Sequence, residues 1–173
     1  DQGRIFINGE EVEIRNAKDA MELGIGMVHQ HFMLIPKFSI AENIVLGNEP
    51  VEGQIFNRKE AIQKVKETSR KYGLEISDPS TKIRDIPVGE KQRAEIIKSL
   101  YRGAEILILD EPTAVLTPQE IDSLYGIIEE LTDDGKTIIF ITHKLEEAMN
   151  ACDRVTVLRD GKKIYTVKNK ETN

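Results

Sequence analysis

Three short, continuously apolar runs, spaced far apart along the chain, constrain the fold more than any other feature of this sequence. They cover residues 24–28, 106–109 and 137–142, and polar residues follow each run. Runs of this length without alternation are typical of strands that are buried on both faces of a parallel sheet. The segments between them carry helical periodicity, and the capping box Thr117–Glu120, with Pro118 at the first helical position, predicts the start of the helix between the second and third runs. The sequence therefore predicts an α/β fold whose parallel sheet is covered by helices on both faces.

A hairpin is predicted on either side of this core. Near the N-terminus, apolar and polar residues alternate around Asn8-Gly9, and near the C-terminus they alternate around Asp160-Gly161. Asn-Gly and Asp-Gly pairs are the preferred two-residue turns of antiparallel hairpins. We therefore expect an antiparallel hairpin at both positions.

The stretch of residues 38–100 has a different pattern, because its recognisable elements are helical only. One helix is predicted to begin at the capping box Ser39–Glu42, a second at Arg58 with Asn57 as its cap, and a third at Val88. We expect residues 38–100 to form a helical subdomain inserted into an α/β core made of residues 1–37 and 101–173.

The residues with the clearest catalytic potential follow the apolar runs. Gln30 comes shortly after the first run, Asp110 and Glu111 follow the second, and His143 follows the third. Since the carboxyl ends of parallel strands meet at one edge of the sheet, where open α/β folds bind ligands, these side chains should lie together. An aspartate there can hold the magnesium of a bound nucleotide, and a glutamate can polarise an attacking water. Each residue alone would be better explained as an ordinary loop or cap residue, so the hypothesis depends on the combination.

Gly89 is a further candidate, because it lies at the start of a predicted helix. The exposed N–H groups of a helix N-terminus attract phosphate oxygens. On its own, the same pattern would describe an ordinary helix start.

The order and intervals of these motifs resemble the nucleotide-binding domain of ATP-binding-cassette (ABC) transporters. The matching motifs are the Q-loop at Gln30, the signature Val88-Gly89-Glu90-Lys91-Gln92-Arg93, the Walker B segment Leu109-Asp110-Glu111-Pro112-Thr113, the D-loop Ala114-Val115-Leu116-Thr117 and the switch histidine His143. The resemblance covers essentially the whole chain. It implies a P-loop NTPase-type parallel-sheet core with flanking antiparallel hairpins and an inserted α-helical subdomain.

The resemblance also implies roles for individual residues, with ATP and Mg²⁺ as cofactors. Glu111 would be the catalytic carboxylate and His143 the γ-phosphate sensor, while Asp110 and Gln30 would lie on the magnesium side. The remaining implied contacts, to a nucleotide held by the opposite subunit, come from Val88, Gly89, Glu90, Gln92 and Thr117.

Three features depart from the family pattern. Pro87 stands where the family has a serine, which removes both a hydroxyl and a backbone N–H from the signature. Thr117 stands where an aspartate is common. The glycine-rich phosphate-binding loop, Gly-x-x-x-x-Gly-Lys-Ser/Thr, does not occur between Asp1 and Asn173. We expect the chain to be cut from a longer one and to be unable to hydrolyse ATP alone.

Within the family, the likeness is to importers of simple sugars and nucleosides. Three segments carry it, namely Met27–Leu34, Ala41–Gly47 and Thr113–Glu120. The implied partners are a second nucleotide-binding domain, in a head-to-tail dimer or a fused cassette, and transmembrane permease subunits docked near Gln30 and the helical subdomain. An extracellular solute-binding protein would act indirectly. The implied location is the cytoplasmic face of the cell membrane.

Composition helps to distinguish between the possible functions and locations of the chain. The chain has 24 basic and 30 acidic residues, and the resulting net charge of −6 argues against nucleic acid as the main partner. One cysteine, Cys152, cannot form an internal disulfide, which suits the cytoplasm. Two alternatives remain: a non-transport ABC ATPase that acts on DNA or ribosomes, and a fragment that binds partners without catalysing a reaction.

Overall fold

The computed structural model describes residues 3–169. Nine strands and six α-helices, with one short 3₁₀ helix, alternate along this part of the chain. In order they are β1 (Ile5–Ile7), β2 (Glu10–Val12), α1 (Ala17–Glu22), β3 (Ile25–Val28), α2 (Ile40–Val45), β4 (Val51–Glu52), β5 (Ile55–Phe56), α3 (Arg58–Lys71), the 3₁₀ helix (Ile83–Asp85), α4 (Val88–Tyr101), β6 (Ile106–Asp110), α5 (Pro118–Asp133), β7 (Thr137–Ile141), α6 (Leu145–Ala151), β8 (Arg154–Arg159) and β9 (Lys162–Lys168).

The three apolar runs form one parallel sheet in the order β3-β6-β7, with β6 in the centre. Its register pairs Val28 with Leu109, and Leu109 with Phe140. The three strands run in the same direction, so their carboxyl ends lie at one edge, as parallel pairing requires. The predicted α/β class with a parallel-sheet core is confirmed.

The two faces of this sheet differ in burial. On one face Val28 and Leu109 are 0 % and 1 % exposed, whereas on the other Met27, Ile139 and Ile141 are 39 %, 47 % and 44 % exposed. The prediction that both faces are covered is therefore wrong for residues 3–169. An apolar run shows that a strand can be buried, but it does not identify the residues that cover each face.

Helix α4 packs against the covered face, and a glycine makes this possible. A Cβ atom on Gly26 in β3 would lie 2.9 Å from the Cβ of Ser99 in α4 and 3.0 Å from the Cβ of Ala104. Real side chains do not approach that closely, so the small residue permits the contact between strand and helix.

The capping signals of the helical stretch are confirmed. Ser39 caps α2 in a full capping box with Glu42, and Asn57 caps α3 by accepting a hydrogen bond from the Glu60 N–H. One detail is wrong, because the stretch also contains the antiparallel hairpin of β4 and β5. Strands of two residues are too short to show an alternating pattern.

Both predicted flanking hairpins are confirmed. β1 pairs with β2 and β8 pairs with β9, each in antiparallel register. Their turns hold two consecutive left-handed residues, with φ of 53° and 85° at Asn8 and Gly9, and 51° and 72° at Asp160 and Gly161. Such pairs match the right-handed twist of the strands that they join.

The main core lies between α2, α3, α4 and the covered face of the sheet, and it extends to α5. The largest apolar side chains below 2 % exposure are Ile40, Ile44, Leu74, Ile96, Ile97, Leu107, Leu109, Leu131, Val28, Val45 and Val65. Among the described residues, no helix has both the length and the apolar character that crossing a membrane would require.

Candidate functional site

Three loops meet at the carboxyl edge of the parallel sheet. Gln30 follows β3, Glu111 follows β6 and His143 follows β7. Gln30 Nε2 donates a hydrogen bond to Glu111 Oε2 at 3.1 Å, and His143 Nδ1 lies 3.0 Å from Glu111 Oε1. The structure thus brings together the three side chains that the sequence predicts to be catalytic.

The backbone of Glu111 adopts a conformation that is rare for a residue with a side chain. Its φ is +44°, in the left-handed region. Its N–H donates to the Ile141 carbonyl at 2.9 Å, and its own carbonyl accepts from the Ala114 N–H at 3.2 Å. A strained residue of this kind persists only where its surroundings hold it, and such residues cluster at functional sites. The sequence carries no pattern that would have revealed this turn.

The site is open to solvent. The side chain of Glu111 is 28 % exposed and that of His143 is 69 % exposed. A carboxylate in this position can orient a water molecule and accept its proton, and the two neighbours fix the carboxylate because they engage one oxygen each. The geometry therefore suits general-base chemistry at the edge of the sheet.

Asp110 lies at the end of β6, paired in register with Ile141. Within residues 3–169 its side chain is half-buried and makes no hydrogen bond or ion pair. Carboxylate and amide oxygens are the ligands that Mg²⁺ prefers, and Asp110 and Gln30 offer one of each. The described residues contain no group of three His, Cys, Asp or Glu side chains that could hold a metal. A magnesium ion at Asp110 would therefore take most of its ligands from water or from a bound phosphate, which is its usual coordination.

The N-terminus of α4 is engaged by a carboxylate of the same chain. Gly89 is in the first turn of this 14-residue helix, and its N–H donates to Glu120 Oε1 at 3.0 Å. A Cβ on Gly89 would collide with the same carboxylate, so glycine permits the contact. Val88, the first residue of the helix, is half-buried.

Glu120 also completes the cap of α5, as the sequence predicts. Its Oε2 accepts 2.9 Å hydrogen bonds from the N–H and the hydroxyl of Thr117. These bonds, together with the weaker one from the Gly89 N–H, lower the pKa of Glu120 although burial opposes the shift. The Thr-x-x-Glu spacing reveals the cap, but it does not reveal the third bond, to Gly89. Thr117 itself is exposed, and its observed contacts are those of a cap.

The side chains of Glu90 and Gln92 lie inside the protein, where they are 5 % and 4 % exposed. Glu90 Oε1 accepts a 2.6 Å hydrogen bond from the Ser77 N–H. Gln92 Nε2 is buried and has no hydrogen-bond partner among the described residues. Neither side chain is brought to the Glu111 site.

The chain is similar to known proteins over nearly its full length. The sequence pattern of the ABC transporter family matches residues 1–114. A guanosine import ATP-binding protein of Bacillus subtilis is 56 % identical over 100 % of this chain and 34 % of its own length. A nucleoside import ATP-binding protein of Lactococcus lactis is 52 % identical over 96 % of this chain and 33 % of its own length. The chain thus spans about a third of the length of these relatives.

A solved structure shares the fold. The structure of cbiO1 from Clostridium perfringens, part of the ABC transporter complex cbiONQ, superimposes with a TM-score of 0.79 at 27 % identity. The match covers 98 % of this chain and 67 % of that one.

Proposed function

Because the chain belongs to the ABC transporter family, we propose that it forms part of the nucleotide-binding domain of an importer that couples ATP hydrolysis to solute uptake. The proposal concerns a whole protein, of which a chain of this length would be one part. The relatives named above support it, since their names assign ATP binding and import to them.

The observation that carries the proposal is the Glu111 carboxylate held between Gln30 and His143 at the sheet edge. In this proposal Glu111 orients the attacking water and accepts its proton. His143, next to it, contacts the γ-phosphate, and Gln30 positions the water and the magnesium shell. Such roles need fixed side chains more than strong acids or bases, because phosphoryl transfer depends chiefly on positioning and charge stabilisation.

Asp110 and Gln30 would hold a magnesium ion that is bound to the nucleotide. The ion would neutralise charge on the phosphate oxygens while Glu111 acts on the water. The chemistry of the donors fits, since both are hard oxygen ligands and the Asp110 carboxylate makes no bond to another described residue.

The α4 N-terminus would serve a nucleotide held by a second nucleotide-binding domain in a head-to-tail arrangement. We propose that the backbone N–H groups of Val88 and Gly89 provide this contact, with Thr117 close to it. Glu90 and Gln92 would contribute to this nucleotide contact from inside the protein, because both side chains are buried. Pro87, which precedes the helix, has no N–H to offer.

We propose a nucleoside as the solute, with a simple sugar as the alternative within the same branch. Both relatives quoted above have nucleoside or guanosine import in their names. The remaining partners would be transmembrane permease subunits and, indirectly, an extracellular solute-binding protein. The location would be the cytoplasmic face of the membrane. The acidic net charge of −6 gives no support to a role on nucleic acid.

Calorimetry of Mg²⁺-dependent ATP binding tests the proposal, on the 173-residue chain and on a longer protein that includes its flanking coding sequence. The longer protein should bind ATP. The 173-residue chain should bind far more weakly, because its sequence contains no glycine-rich phosphate-binding loop. In the longer protein, Glu111→Gln should lower the hydrolysis rate by about 100-fold or more while ATP affinity stays within about twofold.

Glu146→Gln is the matched control, because Glu146 is exposed on α6 and the substitution removes the same charge. It should leave hydrolysis unchanged. If the longer protein binds no ATP, the proposal is wrong and the non-catalytic, partner-binding function takes its place. If it hydrolyses ATP equally well with Glu111→Gln, the role of Glu111 is wrong.

A further inference from the structure

Glu147 in α6 is a charged side chain that the protein buries to 6 % exposure. Its side chain forms no hydrogen bond or ion pair with Glu111 or His143, yet its partners are close neighbours of both in sequence. A buried carboxylate is costly unless hydrogen bonds and charge compensate for its lost hydration. The groups around Glu147 must therefore provide this compensation.

Three donors surround the Glu147 carboxylate. Its Oε1 accepts from Thr113 Oγ1 at 2.7 Å and from Lys144 Nζ at 2.8 Å, and its Oε2 accepts from Thr142 Oγ1 at 2.8 Å. Thr113 lies two residues after Glu111, and it is itself 3 % exposed. Thr142 and Lys144 flank His143 on both sides. One carboxylate thus joins the loop that carries Glu111 to the loop that carries His143.

The ionised form of Glu147 is the one that these contacts favour. Burial raises the pKa of Glu147, but the hydrogen bonds from Lys144, Thr113 and Thr142 together lower it by more than burial raises it. The net shift is therefore downward. An ionised carboxylate can only accept hydrogen bonds, so both threonine hydroxyls must point toward it. The Thr142 oxygen then accepts the Lys144 N–H at 3.1 Å, which fixes the backbone on the far side of His143.

A second link joins the same two loops. It is the backbone hydrogen bond from the Glu111 N–H to the Ile141 carbonyl, at 2.9 Å. Two links that are separated along each loop restrict both translation and rotation of one loop against the other. The separation between Glu111 Oε1 and His143 Nδ1 depends on this relative position.

We propose that Glu147 is a positioning residue that holds Glu111 and His143 in register with each other. Its effect on the reaction rests on the proposed ATPase function, whereas its effect on loop geometry does not. Supporting groups of this kind matter because a displacement of about 1 Å at a reacting group can cost about 100-fold in rate.

Nuclear magnetic resonance on the 173-residue chain tests the geometric part without nucleotide. In Glu147→Gln the ring ¹⁵N signals of His143 should shift and the Glu111 amide should exchange about tenfold faster. The ring signals of His29 and His31, which flank Gln30, should shift less than those of His143. Amide exchange in the middle of β6, at Leu107, should stay unchanged, which separates a local effect from general destabilisation.

Two further variants complete the set. Thr113→Val keeps the side-chain shape and removes one donor to Glu147, so it should reproduce the shift at His143 in a weaker form. Glu146→Gln, on the exposed side of the same helix, should change none of these signals. If Glu147→Gln fails to fold, Thr113→Val gives the same information. Unchanged His143 signals and Glu111 exchange in the folded variants would overturn the proposal.

Kinetics in the longer protein separate positioning from a merely structural role. Glu147→Gln should lower kcat by about 10- to 100-fold with KM for ATP within about twofold, and Glu146→Gln should lower neither. If the resonance changes occur but the wild-type longer protein hydrolyses no ATP, the proposed function fails while the loop-positioning role stands. If the resonance changes occur and kcat is unaffected, Glu147 is structural and its part in the reaction is wrong.

Discussion

The sheet edge around Glu111 and the N-terminus of α4 around Gly89 are both proposed to face a nucleotide, but the chain builds them in opposite ways. At the sheet edge, three loops distant in sequence place Gln30, Glu111 and His143 in contact, open to solvent. At α4, the Gly89 N–H already binds a carboxylate of the same chain, from Glu120. The sheet-edge site is therefore formed and open to solvent. At the N-terminus of α4, a carboxylate already occupies the Gly89 N–H, and it carries negative charge like the phosphate that is expected to bind there. Substitutions in the two sites, and in the residues that pack under them, can test this difference between an open and an occupied site.

The largest effect is expected beneath the sheet-edge site. Leu109 lies in the central strand just before Asp110 and is 1 % exposed, so Leu109→Ala should lower the free energy of unfolding by about 2–5 kcal/mol. Ile141→Ala, on the open face and 44 % exposed, should cost less than about 1.5 kcal/mol. Urea unfolding measures both. Equal costs would show that the open face of the sheet is buried in solution, and that the sheet-edge site is less accessible than proposed.

The next largest effect is expected in the first turn of α4. Glu90→Ala removes the acceptor of the Ser77 N–H, which should lower the free energy of unfolding by about 1–3 kcal/mol. Glu90→Gln keeps an acceptor oxygen in the same place and should cost less than about 1 kcal/mol. Both values come from the same urea titrations. If neither variant is destabilised, Glu90 is not needed for folding, and a direct contact with the nucleotide becomes the better proposal for this side chain.

The two sites also differ in how much of them the sequence could reveal. Strand ends in a parallel sheet have a known common edge, so the proximity of Gln30, Glu111 and His143 could be predicted from three apolar runs alone. Capping boxes are equally local, and those at Ser39 and Thr117 were found from residue spacing.

What the sequence could not reveal depends on contacts between distant segments. The Gly89–Glu120 bond and the Glu147 network join residues 31 and 34 positions apart. The left-handed backbone of Glu111 follows from its loop and not from its residue type. The burial of Glu90 reflects tertiary packing around α4, which a local pattern of charged residues does not report.

A pair of glycine substitutions tests the hydrogen bond between Gly89 and Glu120 at the N-terminus of α4. Gly89→Ala should gain about 1 kcal/mol of helix propensity but displace the Glu120 carboxylate, losing a hydrogen bond of about 0.5–1.5 kcal/mol, so its net effect should be near zero. Gly126→Ala in α5 is the control, since a Cβ there would meet nothing within 4 Å, and it should show the propensity gain alone. Thermal unfolding compares the two. Equal stabilisation by both variants would mean that the Gly89–Glu120 bond contributes nothing.

The smallest effect expected is the pH dependence of the same contact. Glu120 has a lowered pKa in the folded chain, first because it accepts the Thr117 N–H and hydroxyl, and less because it accepts the Gly89 N–H. A depressed carboxyl pKa contributes stability above the ordinary value of 4.5, and that stability is lost as the pH falls through the lowered pKa. The difference in free energy of unfolding between the wild-type chain and Glu120→Gln should therefore be widest near neutral pH and disappear in acid.

Glu129→Gln, an exposed change of equal charge on α5, serves as the control for net charge. A difference that persists in acid would mean that the negative charge of Glu120 is not what stabilises the folded chain. The N-terminus of α4 would then not be held by an internal anion, and an incoming phosphate would have no carboxylate to displace.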